Sequence, residues 1–443
     1  MSLKKGYKSV PWLFGKEIEI PEEWEVKCLN ETGDLINGLN KDKEDYGHGC
    51  LHVNINNIFE SFSIIPERLG RVNATEKEID TYALQKGDIC LLRSSVKREG
   101  VGYPALFNED NNSIVFSGFI IRFRPNKIWF SIYLTFLLRS ELMRNIIVSK
   151  SSSSANTNIN QKSLGSILII IPPLSEQQKI ATILSNVDNL IESTEMVITN
   201  SKKVKKGLMQ KLLTRGIGHK KFKNTYLKYR FLKISIPEEN VIKNVKQIST
   251  LDNNAVKTGP FGLMLHSSDY VSQGTPLILV KNIQRGHIVD SDIPKISEKD
   301  VERLSDYRVK EDDVIFTRVG RVGSSALVKK TQVGWLFSGQ TLRIRFENPE
   351  LNIKYVNYYF QSELFTRLLI PELLGSTRDS INTKILEEIP IILPSKNEQD
   401  KIVIILSNID SKIESQEKYK EKLERLKKSL MQKLLTGEVR VAI

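Results

Sequence analysis

The sequence predicts an α+β chain. Two similar domains of mixed strands and helices are separated by two long antiparallel coiled-coil helices in pseudo-twofold relation. Three observations predict it. Pro172–Thr214 reappears without a gap as Pro394–Thr436, 222 positions later, with about half of its residues identical. Both copies carry apolar residues at coiled-coil spacing. The stretches ahead of them share a fainter series of strand and turn signals. Solenoid repeats run roughly 20–50 residues, so this longer period is a duplication of a whole domain with its connector.

Each copy reads as one rod. EQQKIATILSNVDNLIES (Glu176–Ser193) returns as EQDKIVIILSNIDSKIES (Glu398–Ser415), and LMQKLLT (Leu208–Thr214) returns unchanged at Leu430–Thr436. Ile180, Leu184, Val187, Ile191, Thr194, Ile198, Ser201, Lys205, Leu208 and Leu212 alternate by four and three, the seam of a coiled coil. Ile402, Leu406, Ile409, Ile413, Gln416, Lys420, Leu423, Lys427, Leu430 and Leu434 follow the same rule. Lys205 interrupts the apolar seam, and Val204 is expected to take its place. Pro172 and Pro394 precede the helices, with Ser175 and Asn397 as N-caps and Gly216 and Gly437 as stops. At about 1.5 Å per residue each rod is about 58 Å long. Its seam needs an apolar partner, either the other rod, antiparallel, or a helix of another subunit.

Composition bounds the partners. The net charge of +13 and pI near 9.3 point to a polyanion, most simply nucleic acid. A basic but merely solvated surface is the alternative. The start, MSLKKGYKSVPWLFGK, lacks the apolar segment of a signal peptide. The longest apolar stretch, Ile128 to Leu138, is about half a membrane span. Cys28, Cys50 and Cys90 are scattered and odd in number, which fits a reducing cytoplasm.

Between the rods the halves share anchors and differ in loops. Each opens with Ile-Pro-Glu-Glu (Ile20–Glu23; Ile236–Glu239). Each has an acidic turn into a strand, KGDICLLR (Lys86–Arg93) and KEDDVIFTR (Lys310–Arg318). Ser-Gly and alternating arginines follow, SGFIIRFR (Ser117–Arg124) and SGQTLRIRF (Ser338–Phe346). A helix with Ser-Glu-Leu and a polar loop through Ile159-Asn160 or Ile381-Asn382 lead back to the rod. Domain boundaries are expected at 1–172, 173–217, 218–394 and 395–443. YKSV (Tyr7–Val10) mirrors FKNT (Phe222–Thr225), so the first and last segments are expected to lie together.

The divergent loops, HGCLHVNINNIFE, RSSVKREGVG, LILVKNIQRGHIV and RVGRVGSS, combine Arg, Lys, Asn and Gly. Base-edge reading needs this mixture. Arg forks onto guanine, Asn pairs with adenine, and Gly lets the backbone approach. Candidate contacts are Asn54, Asn56, Arg93, Lys97 and Arg98 in the first half, and Lys281, Arg285, Arg318 and Arg321 in the second.

Catalytic residues are not expected. His48, Cys50 and His52 alternate as a metal site might, but lack a fourth ligand. Gly320–Gly323 is no P-loop, because no Gly-Lys-Ser/Thr follows. No HExxH, G-x-S-x-G, acidic nuclease cluster or amino-methyltransferase Asn/Asp-Pro-Pro-aromatic motif is present. Neither a metal nor a cofactor is expected in this chain.

Two basic domains, each closed by Glu-Gln-x-Lys-Ile-x-x-Ile-Leu-x-x-x-Asp and a rod ending in LMQKLLT, resemble the DNA-specificity subunit of Type I restriction–modification systems. The ending LLTGEVRV (Leu434–Val441) is similar to that family's. The resemblance implies that the halves are target recognition domains reading double-stranded DNA. It implies that the rods act as a ruler and docking surface for two modification (methyltransferase) subunits. Those partners would bring S-adenosylmethionine, and restriction subunits would bring ATP-driven translocation and cleavage. The family often has Trp after the Pro-Glu-Glu, present here as Trp24 but replaced in the second half by Asn240, so different packing is expected there. A tandem coiled-coil adaptor that binds only proteins is the alternative.

Overall fold

A computed structural model describes residues 4–12, 17–111, 113–153, 156–227, 232–249, 255–284, 286–373 and 380–442. It divides into two compact units, Met1–Glu195 with Lys418–Ile443, and Met196–Glu417. The rods are continuous helices, Leu174–Arg215 and Lys396–Leu435. Each unit therefore holds one half of each rod.

Within each unit the two half-rods run antiparallel, because rising numbers on one pair with falling numbers on the other. In the first unit Glu195 meets Lys420 at 2.6 Å and Asp188 meets Lys427 at 2.5 Å. In the second, Lys202 meets Glu417 and Lys205 meets Asp410, both at 2.6 Å. The apolar seam positions Ile180, Leu184, Val187, Ile198, Leu212, Ile402, Leu406, Ile413, Leu423 and Leu434 are buried, and Ile191, Leu208, Ile409 and Leu430 are half-buried. Lys205 keeps its seam place and Val204 does not replace it, being 56% exposed. The Lys205 stem lies in the seam while its ammonium pairs with Asp410 and sits 5.3 Å from the Tyr358 ring centre. A long cationic side chain can thus fill an apolar position without losing its charge partner.

The caps fall two residues earlier than the sequence suggests. The second rod starts at Lys396, and Ser395 Oγ accepts from Glu398 N at 3.4 Å, so Asn397 lies in the first turn. The first rod starts at Leu174, which puts Ser175 inside it. There Pro173 precedes the helix, and its carbonyl accepts from the amides of Glu176 and Gln177. Gly216 (φ +62°) and Gly437 (φ +74°) take the left-handed conformation that ends each rod.

The repeated Glu-Gln is a joint between rod and domain. Gln177 accepts from Phe130 N at 2.9 Å and donates to the carbonyls of Ile128 and Pro172, both at 2.9 Å. Gln399 repeats this, accepting from Asn352 N at 2.8 Å and donating to Glu350 and Pro394. Both glutamines are buried, so removing one leaves three backbone groups short of partners. Gln399→Leu is expected to destabilise the second unit by about 2–4 kcal/mol, read as a shifted urea midpoint.

Glu176 binds Trp24 Nε1 at 2.9 Å and Arg440 Nε at 2.7 Å, while Tyr7 Oη donates to Gly437 O at 2.6 Å. The first and last segments of the chain thus meet in the first unit. In the second unit Glu398 instead takes His219 Nε2 at 2.9 Å and the Ile217 amide at 2.7 Å. Asn240, in the place of Trp24, is buried, and its amide donates to Pro237 O as that of Trp24 does to Pro21 O. His219 therefore supplies the side-chain partner that the missing indole cannot.

The first unit centres on a four-stranded antiparallel sheet in the order Gly33–Asn37, Ile120–Pro125, Ile89–Leu92, Pro104–Leu106. Ile89, Leu91, Ile121 and Phe123 face the helices Ser131–Arg139 and Glu141–Ser149 and the rods. Cys90, Leu92 and Ile120 face a second core with Val53, Ile58, Phe107 and Phe116. Both faces are covered, so the central strand Ile89–Leu92 is apolar throughout. The second unit repeats the plan with Val256–Thr258, Thr341–Ile344, Val314–Thr317 and Ser325–Leu327, extended by Gly286–Ile288 and Ile283–Gln284. Among the described residues no helix is long and apolar enough to cross a membrane.

Candidate nucleic-acid interface

Four segments meet at one end of the central sheet. The strand Ile89–Leu92 delivers Arg93, whose amide donates to Phe119 O at 2.8 Å and whose carbonyl accepts from Ile159 N at 3.0 Å. In the second unit Val314–Thr317 delivers Arg318, whose amide donates to Gln340 O at 2.9 Å and whose carbonyl accepts from Ile381 N at 3.1 Å. Arg93 and Arg318 are therefore the same position in two copies. Arg93 donates to Gly118 O at 3.2 Å. Arg318 Nε is buried without a hydrogen-bond partner among the described residues.

The Ser-Gly turn sits beside them. Ser117 N donates to Val53 O and Ser338 N to Ile278 O, each at 3.0 Å. The next segment turns on a buried asparagine, since Asn54 N donates to Asn57 Oδ1 and Leu279 N to Asn282 Oδ1. Counting from those anchors, Asn56 and Lys281 occupy one position, and both are exposed. Lys281 is ion-paired with Asp292 at 2.7 Å and holds that carboxyl below its ordinary range. Asn54 is exposed, but its side chain caps the helix Ile55–Phe59 by accepting from Ile55 N at 2.7 Å. Lys97, Arg98 and Arg321 are exposed. Arg285 lies outside the described residues.

The glycines of RVGRVGSS serve the fold first. Gly320 (φ +74°) and Gly323 (φ +85°) are left-handed, and a Cβ on Gly323 would stand 2.3 Å from Leu369 Cδ2. The alternating arginines are also structural. Arg124 grips buried Asp88 through Nε at 2.8 Å and Nη2 at 2.7 Å, and Arg345 grips Asp313 through both at 2.7 Å. Arg122 and Arg343 are buried on the same strands, and burial pulls each guanidinium below its ordinary pKa.

His48, Cys50 and His52 do not share a face. Gly47 (φ +98°) and Gly49 (φ +87°) are left-handed, and the pairing with Gly70–Val72 shifts register between Tyr46 and Cys50. His48 is exposed while His52 is buried against Tyr46, with ring centres 5.5 Å apart. Burial lowers the His52 pKa to about 4. The unfolded chain, near 6.5, then binds more protons between those values. Stability of the first unit should fall as pH drops from 6.5 towards 4, and His52→Leu should flatten that part of a urea-midpoint profile.

The apolar part of this end is almost unmarked in the sequence. A recess of about 550 Å³ is lined by Ile55, Phe59, Val96, Tyr103 and Phe119, with Ser94, Ser95, Lys97 and Asn156 among its polar members. These residues come from separate segments, and only the aromatic after Ser117-Gly118 carries a local signal.

The comparisons match this plan. The family described as Type I restriction modification DNA specificity domain matches residues 21–206 and again 263–425. The chain is 32% identical over 435 residues to a putative type I restriction enzyme MjaX specificity subunit of Methanocaldococcus jannaschii, covering 96% of this chain and 95% of that one. It is 26% identical over 437 residues to the MjaVIII specificity subunit of the same organism, with the same coverage of 96% and 95%. The fold is similar to the crystal structure of a Type I restriction–modification S subunit from M. genitalium, with a TM-score of 0.57 and 15% identity, over 93% of this chain and 96% of that one. With two matched copies on a duplicated fold, the chain belongs to the Type I restriction modification DNA specificity domain family.

Proposed function

We propose that the chain is the non-catalytic, sequence-specific DNA-binding subunit of a Type I restriction–modification complex in the cytoplasm. Residues 1–172 and 218–394 are its target recognition domains, and 173–217 and 395–443 its spacer rods. Each recognition domain reads one half of a bipartite asymmetric target. The rods set the spacing and dock two modification subunits, which carry S-adenosylmethionine. Restriction subunits with ATP complete the complex. The observation that supports this best is Arg93 and Arg318, held at one backbone position on two copies whose surrounding loops differ in sequence. A duplicated reader with divergent loops suits two different half-sites.

Arg93→Ala should relax one position of one half-site, and Arg318→Ala one position of the other, each weakening duplex binding roughly 5- to 150-fold. Arg321→Ala should weaken all sequences alike and shrink the salt slope by about one charge. Both are read by duplex binding of the assembly with its methyltransferase. Equal binding by all variants at every salt concentration, or binding that ignores DNA altogether, would instead favour a protein-only adaptor.

Docking has fewer free charges than the rods' polarity suggests. Lys202 pairs with Glu417, Glu424 with Lys420 and Lys428 with Glu141, while Lys203 is exposed. Two methyltransferases per chain are expected from the duplicated plan. Light scattering on the saturated mixture checks this, and a complex with one copy contradicts it.

A further inference from the structure

We propose that the residue after the Ser-Gly turn is a specificity position in both recognition domains. Phe119, with Phe59, packs on the C5-methyl group of a thymine, and Gln340 reads an adenine edge through hydrogen bonds. This deepens the recognition reading above and rests on it.

The two residues hold one place. Arg93 N donates to Phe119 O, and Arg318 N to Gln340 O. The turn before each is closed by Ile120 N to Ser117 O at 2.8 Å and by Thr341 N to Ser338 O at 2.9 Å. The second turn is tightly enclosed, since a Cβ on Gly339 would meet Phe261 Cβ and Pro260 O at 2.6 Å, whereas one on Gly118 would meet only the movable end of the Asn40 side chain. Backbone is thus common to both copies while the exposed side chain differs in chemistry.

Phe119 is 54% exposed and Phe59 is 50% exposed, at the mouth of the 550 Å³ recess. Its Tyr103 wall is held rigid. The ring lies 4.9 Å from the Arg139 guanidinium and 5.5 Å from that of Arg144, and 5.3 Å from the Phe59 ring. Arg144 in turn donates to the carbonyls of Glu99, Val101 and Gly102. An apolar recess next to exposed Lys97 and Arg98 suits a surface with an apolar patch between phosphates. In the major groove thymine alone among the four bases presents a methyl group. Glutamine has the donor and acceptor that match adenine N7 and N6.

The test uses the full complex with its methyltransferase, after methylome sequencing has defined the target. Replacing each thymine of the first half-site by deoxyuridine removes only the methyl group. One such duplex should bind roughly 3- to 5-fold more weakly, the worth of one buried methyl, and Phe119→Ala should bind the two duplexes equally. Phe119→Gln should change the methylated motif at one position of the first half-site only, and Gln340→Phe at one position of the second only. The untouched half-site in each experiment reports that the variant is folded. A first half-site without an A·T pair, or uniform binding of all deoxyuridine duplexes, overturns the Phe119 assignment. A second half-site without an A·T pair, or a motif unchanged by Gln340→Phe, overturns that of Gln340. If the wild-type complex methylates no bipartite motif, the recognition reading itself fails, separately from this inference.

Discussion

Asp313→Ala should cost the second unit about 3–5 kcal/mol, the range for removing one partner of a buried ion pair. Asp313 is 1% exposed and its carboxylate takes two bonds from Arg345 and a third from the Lys310 amide, all at 2.7 Å. Removing it leaves a largely buried guanidinium and a turn amide without their acceptor. The Arg345 side chain is 16% exposed, so water does little to replace the lost partner. Two units require that the urea transition be resolved into two steps before a midpoint is assigned. Adding Arg345→Met to Asp313→Ala should recover much of the loss, because the stranded charge is then gone. A single variant that loses less than about 1 kcal/mol would show that the pair is not holding the sheet. Asp88→Ala should act the same way in the first unit, more weakly, because Arg124 is 29% exposed.

The second large effect is on target spacing. Shortening either rod by one helical turn is the simplest expectation from two spacers, but the paired rods change it. Glu195 pairs with Lys420 and Lys205 with Asp410, so equal lengths of the two helices separate those pairs. A four-residue deletion from one rod breaks that equality and rotates the apolar seam. Deleting 196–202 together with 411–417 removes one heptad from each, keeps both pairs, and takes out Lys202 with its own partner Glu417. Seven residues at about 1.5 Å make roughly 10 Å, or about three base pairs at 3.4 Å. The methylated motif should keep both half-sites and lose about three base pairs of spacer. A motif with unchanged spacing, or one continuous palindrome, would refute the ruler.

Parts of the interface were legible because their signals are short-range. Arg93 and Arg318 follow equivalent strands, and the Ser-Gly turns flank them in both copies. The recess was not legible. The helix Ile55–Phe59, Tyr103 and Phe119 lie far apart in the chain, and only the Ser-Gly before Phe119 marks any of them locally. The arginines of Ser117–Arg124 and Ser338–Phe346 were also ambiguous. Arg124 and Arg345 turn out to hold Asp88 and Asp313 rather than solvent.

What the sequence determined by itself is whatever repeats at helical or domain period. The duplicated rods and their seams from Ile180 to Leu212 and from Ile402 to Leu434 follow from local spacing, while the choice of the other rod, antiparallel, over a helix of another subunit is made by the fold. Tertiary structure alone decided which polar residues are spent on the fold. It committed Gln177 and Gln399 to the rod joints, gave Glu398 to His219 in place of a tryptophan, and kept Lys205 rather than Val204 in the seam. The physical reason is range. A helical face is set by neighbours three and four residues away. The partner of a buried polar group is set by whichever distant segment the fold brings within about 3 Å of it.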